Sequence, residues 1–330
     1  MTAVLILGLA AGLDFLLGDP WGWIHPVQII GWAIDRGKAP LMAWGDRVRL
    51  QRLGGIVLGL GVVLGSGVVG GGLVWFGAGV HPLLGRTIAV VLLASCLAGR
   101  SLRDAAADVL TPLEAGKIEE ARSRLGRYVG RDTANLSEAE ILRAVLETVT
   151  ENAIDGVLAP LFYGIVGAIL GTQIGTGLGT VLGAVALALA YKAASTLDSM
   201  VGYRDAPYTH IGWFSARFED GATWLPCRLA VLTLALLSGR PRRVLSLCRR
   251  DAPQDPSPNA GWSECAYAAA LGVQVGGNNV YRGQVKVKPR LGEAERVIDR
   301  ACITAAMALT RRCFLLWLGL GMTILLGLGC

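Results

Sequence analysis

The stretch Glu151-Asn152-Ala153-Ile154-Asp155 places two carboxylates and an amide at the start of an apolar segment of membrane length. On a helix, Glu151 and Asp155 lie four residues apart and share one face. Two like charges at a bilayer edge are unfavourable unless a cation lies between them. Oxygen ligands favour Mg²⁺, which proteins typically bind together with phosphate. The spacing predicts phosphate chemistry with Glu151 and Asp155 as Mg²⁺ ligands; the alternative is that Asp155 caps the following helix.

Three basic residues near the predicted membrane surface are candidates for binding phosphate: Arg131, Lys192 and Arg217. A guanidinium such as that of Arg131 can donate two parallel hydrogen bonds to phosphate oxygens. The neighbouring Asp132 leaves open a simple salt bridge within the loop. Lys192 could instead extend its ammonium towards the membrane surface. Arg217 and Asp220 are at helical spacing, so an ion pair between them is the alternative there.

Several isolated acidic residues are candidates for proton transfer or substrate binding. Asp198 follows YKAASTL, a polar ending for an apolar helix, and with Asp220 it is a candidate general base. Its alternative role is to cap that helix. Near the N-terminus, LDFLLGDPWGWIHPV contains Asp14, Asp19 and His25. These three either contribute to the site or belong to a structured loop where the chain leaves the membrane.

A long polar segment, residues 257–292, combines amide, aromatic and basic side chains around a glycine pair. The Gly276-Gly277 turn offers backbone N–H groups suited to an anion. A solvated basic hairpin is the alternative. The predicted substrate-binding residues of this segment are Asn259, Trp262, Gly276, Gly277, Asn278, Arg282 and Lys288.

The composition is that of a membrane protein. The chain is 53% hydrophobic and only 17% charged, against about 25% charged in soluble domains, and its mean hydropathy is +0.50. The net charge of +6 comes from basic loops, which fits the positive-inside rule rather than nucleic-acid binding. The seven cysteines are scattered without a CxxC pair, so neither a zinc site nor a disulfide framework is indicated. The N-terminus lacks the basic region of a signal peptide, so the first span is expected to be retained.

The apolar segments predict an all-α fold: a polytopic integral membrane helical bundle whose cytoplasmic cap of helices and loops carries the site. The predicted spans are residues 1–18, 53–80, 83–99, 156–172, 176–197 and 314–330. The basic polar regions expected in the cytoplasm are 19–52, 100–150, 198–222 and 239–312. Residues 223–238 are apolar but short and contain Arg228, so they are predicted not to cross. Ser137 followed by Glu140 predicts a capping box. A single domain over residues 1–330 is expected.

Six motifs in this order resemble the CobD/CbiB family, adenosylcobinamide-phosphate synthase of cobalamin biosynthesis. They are LDFLLGDP…HPVQIIG, GRYVGRDTANL, ETVTENAIDGVLAPLFY, YKAASTLDSMVGY, GWFSARFEDGATWLPCR and SPNAGWSECAYAAALGVQVGG. The resemblance covers nearly the whole chain, with departures at Glu219, where Asp is expected, and at NNVYRG. It implies a multi-pass protein of a prokaryotic cytoplasmic (inner) membrane whose active site faces the cytoplasm. It also implies ATP-dependent joining of adenosylcobyric acid, through its free propionate, to aminopropanol phosphate or aminopropanol, giving adenosylcobinamide phosphate.

The residues can be assigned to that reaction by type. Transfer of the ATP γ-phosphoryl group would turn the propionate into an acyl phosphate, a step that needs positioning and charge neutralisation. The assigned Mg²⁺ ligands are Glu151 and Asp155. The ATP or phosphate ligands are Arg131, Asp132, Asn152 and Arg217, and the catalytic residues are Lys192, Asp198 and Asp220. The 257–290 loops would bind the corrinoid or the amine phosphate. No P-loop pattern is present, so ATP use follows from the resemblance.

Three other functions compete with this one. ENAIDG is similar to the diphosphate–Mg²⁺ motifs of membrane prenyltransferases, although a second acid-rich motif is only loosely matched. A non-catalytic membrane sensor of the AmpE type could keep the fold while losing the acids, which are all present here. A transporter is disfavoured because no inverted repeat is visible. The expected partners are the small substrates and the lipid bilayer, not nucleic acid. A homo-oligomer and a complex with other membrane enzymes of the pathway are both compatible with the sequence.

Overall fold

The computed structural model describes residues 2–18, 25–45, 47–174, 177–203 and 205–329. It is 77% helical, and six of the described helical runs are long and apolar enough to cross a membrane. Both facts confirm the predicted helical, multi-pass fold class. The chain packs as two compact units. The first unit is Met1–Arg100, Ala159–Ala222 and Leu316–Cys330, and the second unit is Ser101–Leu158 and Thr223–Leu315. The single domain expected over 1–330 stays a prediction.

The elements follow one another with short connections. In chain order they are α1 (Thr2–Leu16), α2 (Pro26–Met42), α3 (Val48–Val80), α4 (Pro82–Cys96), α5 (Gly99–Glu114), α6 (Ile118–Leu125), α7 (Glu138–Ala153), α8 (Ala159–Gly171), α9 (Gly177–Val201), α10 (Trp213–Leu237), α11 (Pro241–Asp251), α12 (Ala260–Leu271), β1 (Gln274–Tyr281), β2 (Gln284–Gly292) and α13 (Arg300–Gly327). A π-helical turn, Ile154–Leu158, joins α7 to α8 without a break.

Five of the six predicted spans coincide with helical runs capable of crossing. These runs are Val48–Val80, Pro82–Glu114, Glu138–Gly171, Gly177–Val201 and Arg300–Gly327. The first predicted span forms α1, a shorter apolar helix of 15 residues. The sixth run is Trp213–Leu237, where the sequence predicted a polar loop up to residue 222 and a short, non-crossing segment after it.

Helix α10 includes residues 213–222, which the sequence predicted to be loop. The charged residues of this stretch lie in the first turns of the helix, and the apolar residues follow in the same continuous helix. Pro226 lies inside this helix and lacks the N–H that would donate to the Ala222 carbonyl. The Tyr163 hydroxyl donates to that oxygen instead, at 2.8 Å. The helix therefore passes the proline with its freed carbonyl satisfied, which explains how 25 residues form a single element.

Within the first unit, α8 and α9 contact each other through glycines. A Cβ on Gly167 would lie 2.1 Å from the carbonyl oxygen of Gly183, and a Cβ on Gly183 would lie 2.1 Å from that of Gly167. Any side chain at either position would therefore separate the two backbones. This is the small-residue packing typical of helices in lipid.

Within the second unit, the predicted capping box starts α7: Ser137 N–H donates to Glu140 at 2.7 Å, and the Ser137 hydroxyl accepts from Glu140 N–H. The glycine-rich segment forms an antiparallel hairpin of β1 and β2, running from the pair Gln274–Gly292 to the pair Tyr281–Gln284. The strand register shifts at Gly276, whose φ of 87° places it in the left-handed region.

Candidate functional site

A buried carboxylate, Glu147 on α7, is the centre of a charge network in the second unit. Its side chain is 1% exposed. It accepts hydrogen bonds from Arg131, from Arg143 at 3.2 Å and from the Gly276 N–H at 2.8 Å. Three donors on one carboxylate stabilise its ionised form against the cost of burial. The Gly276 N–H predicted to bind a substrate anion thus binds a carboxylate of the protein itself.

The two arginines also bind the β1 strand. Arg131 and Arg143 both donate to the Asn279 side-chain oxygen, at 2.8 and 3.2 Å. Arg143 also donates to the backbone carbonyls of Gly276 and Asn278, at 2.5 and 3.1 Å. The network joins α7, the loop containing Arg131 and the hairpin. Arg131 is therefore in a buried ion pair, and its predicted role towards ATP is not tested by this geometry.

A second acid–base pair, Glu264 on α12 and Lys288 on β2, lies in the same unit. The Lys288 ammonium is 3.5 Å from a Glu264 carboxylate oxygen. Burial raises the pKa of Glu264 to about 8; Lys288 opposes this shift, and Glu151 and Glu147 add to it. Burial also acts on Lys288, but the neighbouring carboxylates outweigh it and raise the pKa of that ammonium. One ammonium thus faces several carboxylates, which favours Glu264 holding a proton near neutral pH.

Three buried polar atoms of these residues have no hydrogen-bond partner among the described residues. They are Arg131 Nε, Asn279 Nδ2 and Glu264 Oε2. A buried polar atom left without a partner costs roughly 1–3 kcal/mol, and such atoms call for a specific explanation. Two unpartnered donors and one unpartnered acceptor in one charge cluster indicate a place where a polar ligand or ordered water is accommodated.

The acidic stretch that carried the magnesium prediction ends α7 beside this cluster. Glu151 is exposed and lies within electrostatic range of Lys288 and Glu264. The exposed Asn152 side chain donates back to the Thr148 carbonyl at 2.9 Å. Asp155 is half-buried inside the π-helical turn, so it does not stand at a helix N-terminus, where a cap would be.

Glu151 and Asp155 are the two residues predicted to bind Mg²⁺. Among the described residues, no group of three or more His, Cys, Asp or Glu side chains is arranged to hold a metal ion. Mg²⁺ is commonly held by one or two carboxylates together with substrate phosphates and water. Glu151 and Asp155 supply two carboxylates, the number that this pattern needs, and their role as Mg²⁺ ligands stays a prediction.

The start of α12 carries two more of the predicted residues. Arg228 donates to the Asn259 side chain at 3.4 Å and to the Pro258 carbonyl at 2.8 Å. Its guanidinium lies over the rings of Trp262 and Trp224, at 4.4 and 5.3 Å from their centroids. Asn259 and Trp262 are thus both contacted by Arg228 of α10. In the sequence, Arg228 indicated only that residues 223–238 do not cross the membrane.

Asp132 and Arg282 meet at the hairpin turn. Asp132 accepts from the backbone N–H groups of Arg282 and Gly283, at 3.1 and 2.8 Å. Arg282 has a φ of 50° and is the only described residue other than glycine with a positive φ. The contact fixes the turn to the loop after Arg131, and both predicted ligand-binding roles remain predictions.

In the first unit, two of the predicted residues line a cavity of about 360 Å³. Arg217 and Asp220 form part of its wall, together with Arg52, Tyr203 and Trp213. Arg217 makes no ion pair with any described residue, so the ion pair considered as its alternative is not formed.

Lys192 and Asp198 are not among the residues that line this cavity. Both are half-buried on α9. The Asp198 carboxylate packs against Gly202, where a Cβ would lie 1.9 Å from its oxygen. The Gly202 N–H donates to the Asp198 carbonyl at 2.7 Å, so Asp198 closes the last turn of α9 through its main chain.

The N-terminal candidates have structural contacts. Asp14 is buried on α1, and its carboxylate accepts from the Arg100 N–H at 3.4 Å. His25 caps α2 by accepting from the Val27 N–H at 3.3 Å. Asp19 lies outside the described residues. Asp14 and His25 belong to the first unit, whereas the charge cluster belongs to the second.

The comparisons with known proteins agree on one family. The family described as CobD/Cbib protein matches residues 7–310. The chain belongs to the CobD/CbiB family. "Cobalamin biosynthesis protein CobD" of Synechocystis sp. is 48% identical over 328 residues, 99% of this chain and 93% of that protein. The protein of the same name from Klebsiella pneumoniae is 40% identical over 96% of this chain and 94% of its own length. "Cobalamin biosynthesis protein CbiB" of Salmonella typhimurium is 40% identical over 87% and 86%. No solved structure matches.

Four residues of these sites in this CobD/CbiB family member were missed from the sequence. Glu147 and Arg143 stand four residues apart on α7, and that spacing alone does not distinguish a buried pair from an exposed one. Glu264 is a lone acid in AGWSECAYAAA, and a single charge among small apolar residues was the available signal. Arg52 gave no signal, because only the tertiary fold places it in the same cavity wall as Arg217.

Proposed function

We propose that this protein catalyses the ATP-dependent formation of an amide bond between the free propionate of adenosylcobyric acid and the amine of aminopropanol phosphate or aminopropanol. The product is adenosylcobinamide phosphate or its unphosphorylated counterpart. Membership of a cobalamin biosynthesis family supports the pathway. The buried acid–base cluster of the second unit supports the chemistry.

The reaction needs a proton acceptor. An alkyl amine has a pKa near that of lysine, about 10.4, so it is protonated near neutral pH and cannot attack a carbonyl. A general base works best when its pKa is near the operating pH. Glu264, whose pKa burial raises to about 8, meets that requirement. This is the observation that carries the proposal: the ionised fraction of Glu264, which grows as the pH rises through about 8, would take the proton from the bound ammonium and leave a nucleophilic amine.

The unpartnered atoms around Glu264 suit the two reacting groups. An ammonium can donate to the free Glu264 Oε2. Carboxylate or acyl oxygens can accept from Arg131 Nε and Asn279 Nδ2. Arg131 also binds Glu147, which acts electrostatically on Glu264. The rigid network would hold donor and acceptor sites in fixed positions, which lowers the entropic cost of bringing the two substrates together.

ATP is a substrate in this proposal. Its phosphoryl transfer supplies a good leaving group on the propionate carbon, which an unactivated carboxylate lacks. Mg²⁺ would neutralise the nucleotide phosphates, with Glu151 and Asp155 as its predicted protein ligands. The Lys288 ammonium, which remains charged, can neutralise negative charge on the acyl group as the amine attacks.

The activity is tested with full-length protein purified in detergent. Adenosylcobyric acid, aminopropanol phosphate and ATP with Mg²⁺ are supplied together and with each omitted in turn, and corrinoid products are separated by chromatography. We expect the amide only in the complete mixture. Release of ADP indicates an acyl phosphate, and release of AMP an acyl adenylate. Amide formation without any nucleotide, or nucleotide consumption without corrinoid, would contradict the proposal.

The role of Glu264 is tested in the same assay with Glu264→Gln. Loss of a general base typically lowers the rate by about 10²–10⁴-fold. The matched control is Glu138→Gln, because Glu138 is an exposed acid at the start of α7. A Glu264→Gln rate within about threefold of the native one, with the fold intact by size-exclusion profile, would remove Glu264 from the reaction.

A further inference from the structure

A cavity of the first unit is formed where α3 begins, α9 ends and α10 begins. Its volume is about 360 Å³, within the range of small-ligand pockets. The side chains in its wall are mainly polar or aromatic. They are Arg52, Tyr203, Thr209, Trp213, Arg217 and Asp220.

Main-chain contacts fix the shape of this cavity. A Cβ on Gly55 of α3 would lie 2.2 Å from the Ile211 carbonyl oxygen, and a Cβ on Gly212 would lie 1.7 Å from that of Val201. These two glycines let α3, the end of α9 and the start of α10 approach to backbone contact. Arg52, three residues before Gly55, is thereby placed beside Trp213.

The two arginines in the wall have no acidic partner within the part of the chain that the structure describes. The Arg52 guanidinium lies 5.6 Å from the centre of the Trp213 ring. Arg217 stands four residues after Trp213 on α10. Neither arginine forms a hydrogen bond or an ion pair with a described residue. Both side chains are exposed to the solvent. An arginine stacked on an aromatic ring keeps the edge of its guanidinium free for hydrogen bonds.

We propose that this cavity binds a phosphate-bearing anion through Arg52 and Arg217. Guanidinium groups are the preferred donors to phosphate, because their planar fork matches two phosphate oxygens. The phosphate could belong to a free phosphate ester or diphosphate, or to the headgroup of an anionic lipid, since the cavity is built at the ends of apolar helices. Arg217 is also one of the ATP or phosphate ligands predicted from the sequence, and the inference adds Arg52 and this cavity to that prediction. Because it concerns binding alone, its test has a readout separate from amide formation.

The binding test uses the full chain, stripped of lipid in a neutral detergent. Affinities for glycerol 3-phosphate and for pyrophosphate are measured by calorimetry for the native protein, Arg52→Gln and Arg217→Gln. Because hydrogen bonds to charged groups contribute about 1.5–3 kcal/mol, each variant is expected to bind about ten- to a hundredfold more weakly. Arg52→Lys should recover only part of the affinity, since a lysine lacks the planar fork. Arg49→Gln, an exposed arginine one turn away and outside the wall, is the matched control.

A second arm identifies the source of the phosphate. The same proteins are placed in phosphatidylcholine nanodiscs with and without phosphatidylglycerol, and the thermal stability of each is compared. Stabilisation by phosphatidylglycerol that both Gln variants lose, with no binding of the soluble probes, supports the site and assigns it to lipid. Soluble-probe binding that both variants lose supports the site and assigns it to a free ligand. If the Gln variants, correctly folded by size-exclusion profile, match Arg49→Gln in both arms, the proposal is overturned.

Discussion

The two units of this CobD/CbiB protein hold their charged side chains in opposite ways. In the second unit, Glu147 is 1% and Arg131 7% exposed, and each is bound to partners from distant parts of the chain. In the first unit, Arg52 and Arg217 are exposed and have no acidic partner among the described residues. The first arrangement fixes geometry, and the second leaves charge available for a ligand.

The difference has energetic consequences. Removing one member of a buried pair leaves an uncompensated charge in a low-dielectric interior, which costs about 3–5 kcal/mol. Removing an exposed, unpaired charge changes stability by only about 0.5 kcal/mol. The stability of the protein should therefore depend on the second unit's arginine, and ligand affinity on those of the first.

The largest expected effect is that of Arg131→Met. This change leaves the Glu147 carboxylate buried with fewer donors, so we expect the free energy of unfolding to fall by about 3–5 kcal/mol. The matched control is Arg217→Met, which should change it by about 0.5 kcal/mol or less. Denaturant unfolding in a fixed detergent measures both. Equal effects for the two variants would show that burial and pairing do not distinguish the units.

The next effect is a pH dependence of stability from Glu264. Burial raises its pKa from 4.5 to about 8, so the folded protein holds this proton at pH values where the unfolded chain has lost it. The stability that the proton provides is complete below pH 4.5 and is lost as the pH rises through about 8. Native protein should therefore lose stability relative to Glu264→Gln across this window, by on the order of a few kcal/mol. Parallel stability curves for the two proteins over this window would show that Glu264 titrates normally.

A smaller effect is expected when Lys288 is replaced by Met. The Lys288 ammonium lowers the pKa of Glu264, against the larger effect of burial. Its removal should raise that pKa further, so the rise of kcat/KM with pH should move to higher pH. The control is Lys286→Met on the same strand, which should leave the profile in place. If the pH profile of kcat/KM shifts downwards, or does not shift, then Lys288 does not lower the pKa of Glu264.

Most of the membrane architecture could be predicted because it depends on local composition. Runs such as residues 53–80 and 83–99 are apolar over the length of a bilayer, and the structure makes them helices of that length. Helix α10 was missed because Arg217, Glu219 and Asp220 interrupt its apolar run. A helix can hold such residues in its first turns while the remainder is apolar. A prediction from hydropathy alone therefore places the start of the helix after its charged residues.

The charge network could not be predicted because its pairs are distant in sequence. Glu147 binds the main chain of Gly276, 129 residues away, and Arg131 binds Asn279, 148 residues away. Spacing along one chain says nothing about such contacts. The capping box at Ser137 needed only neighbouring residues, and it is present. The turn predicted at Gly276-Gly277 is wrong, because both glycines lie within β1 and the hairpin turns at Arg282 and Gly283.

The smallest effect, that of Asp132, separates exposure from pairing as the cause of the contrast between the units. Asp132 is exposed, as Arg217 is, but it accepts two backbone hydrogen bonds at the hairpin turn. If pairing decides, Asp132→Ala should lower the free energy of unfolding by about 1–2 kcal/mol and speed hydrogen exchange at the Gly283 amide. Asp132→Asn keeps one acceptor oxygen and should lie between Ala and the native protein. If exposure alone decides, Asp132→Ala will be as neutral as Arg217→Met, and the rigidity of the second unit would then come from burial and not from its hydrogen bonds.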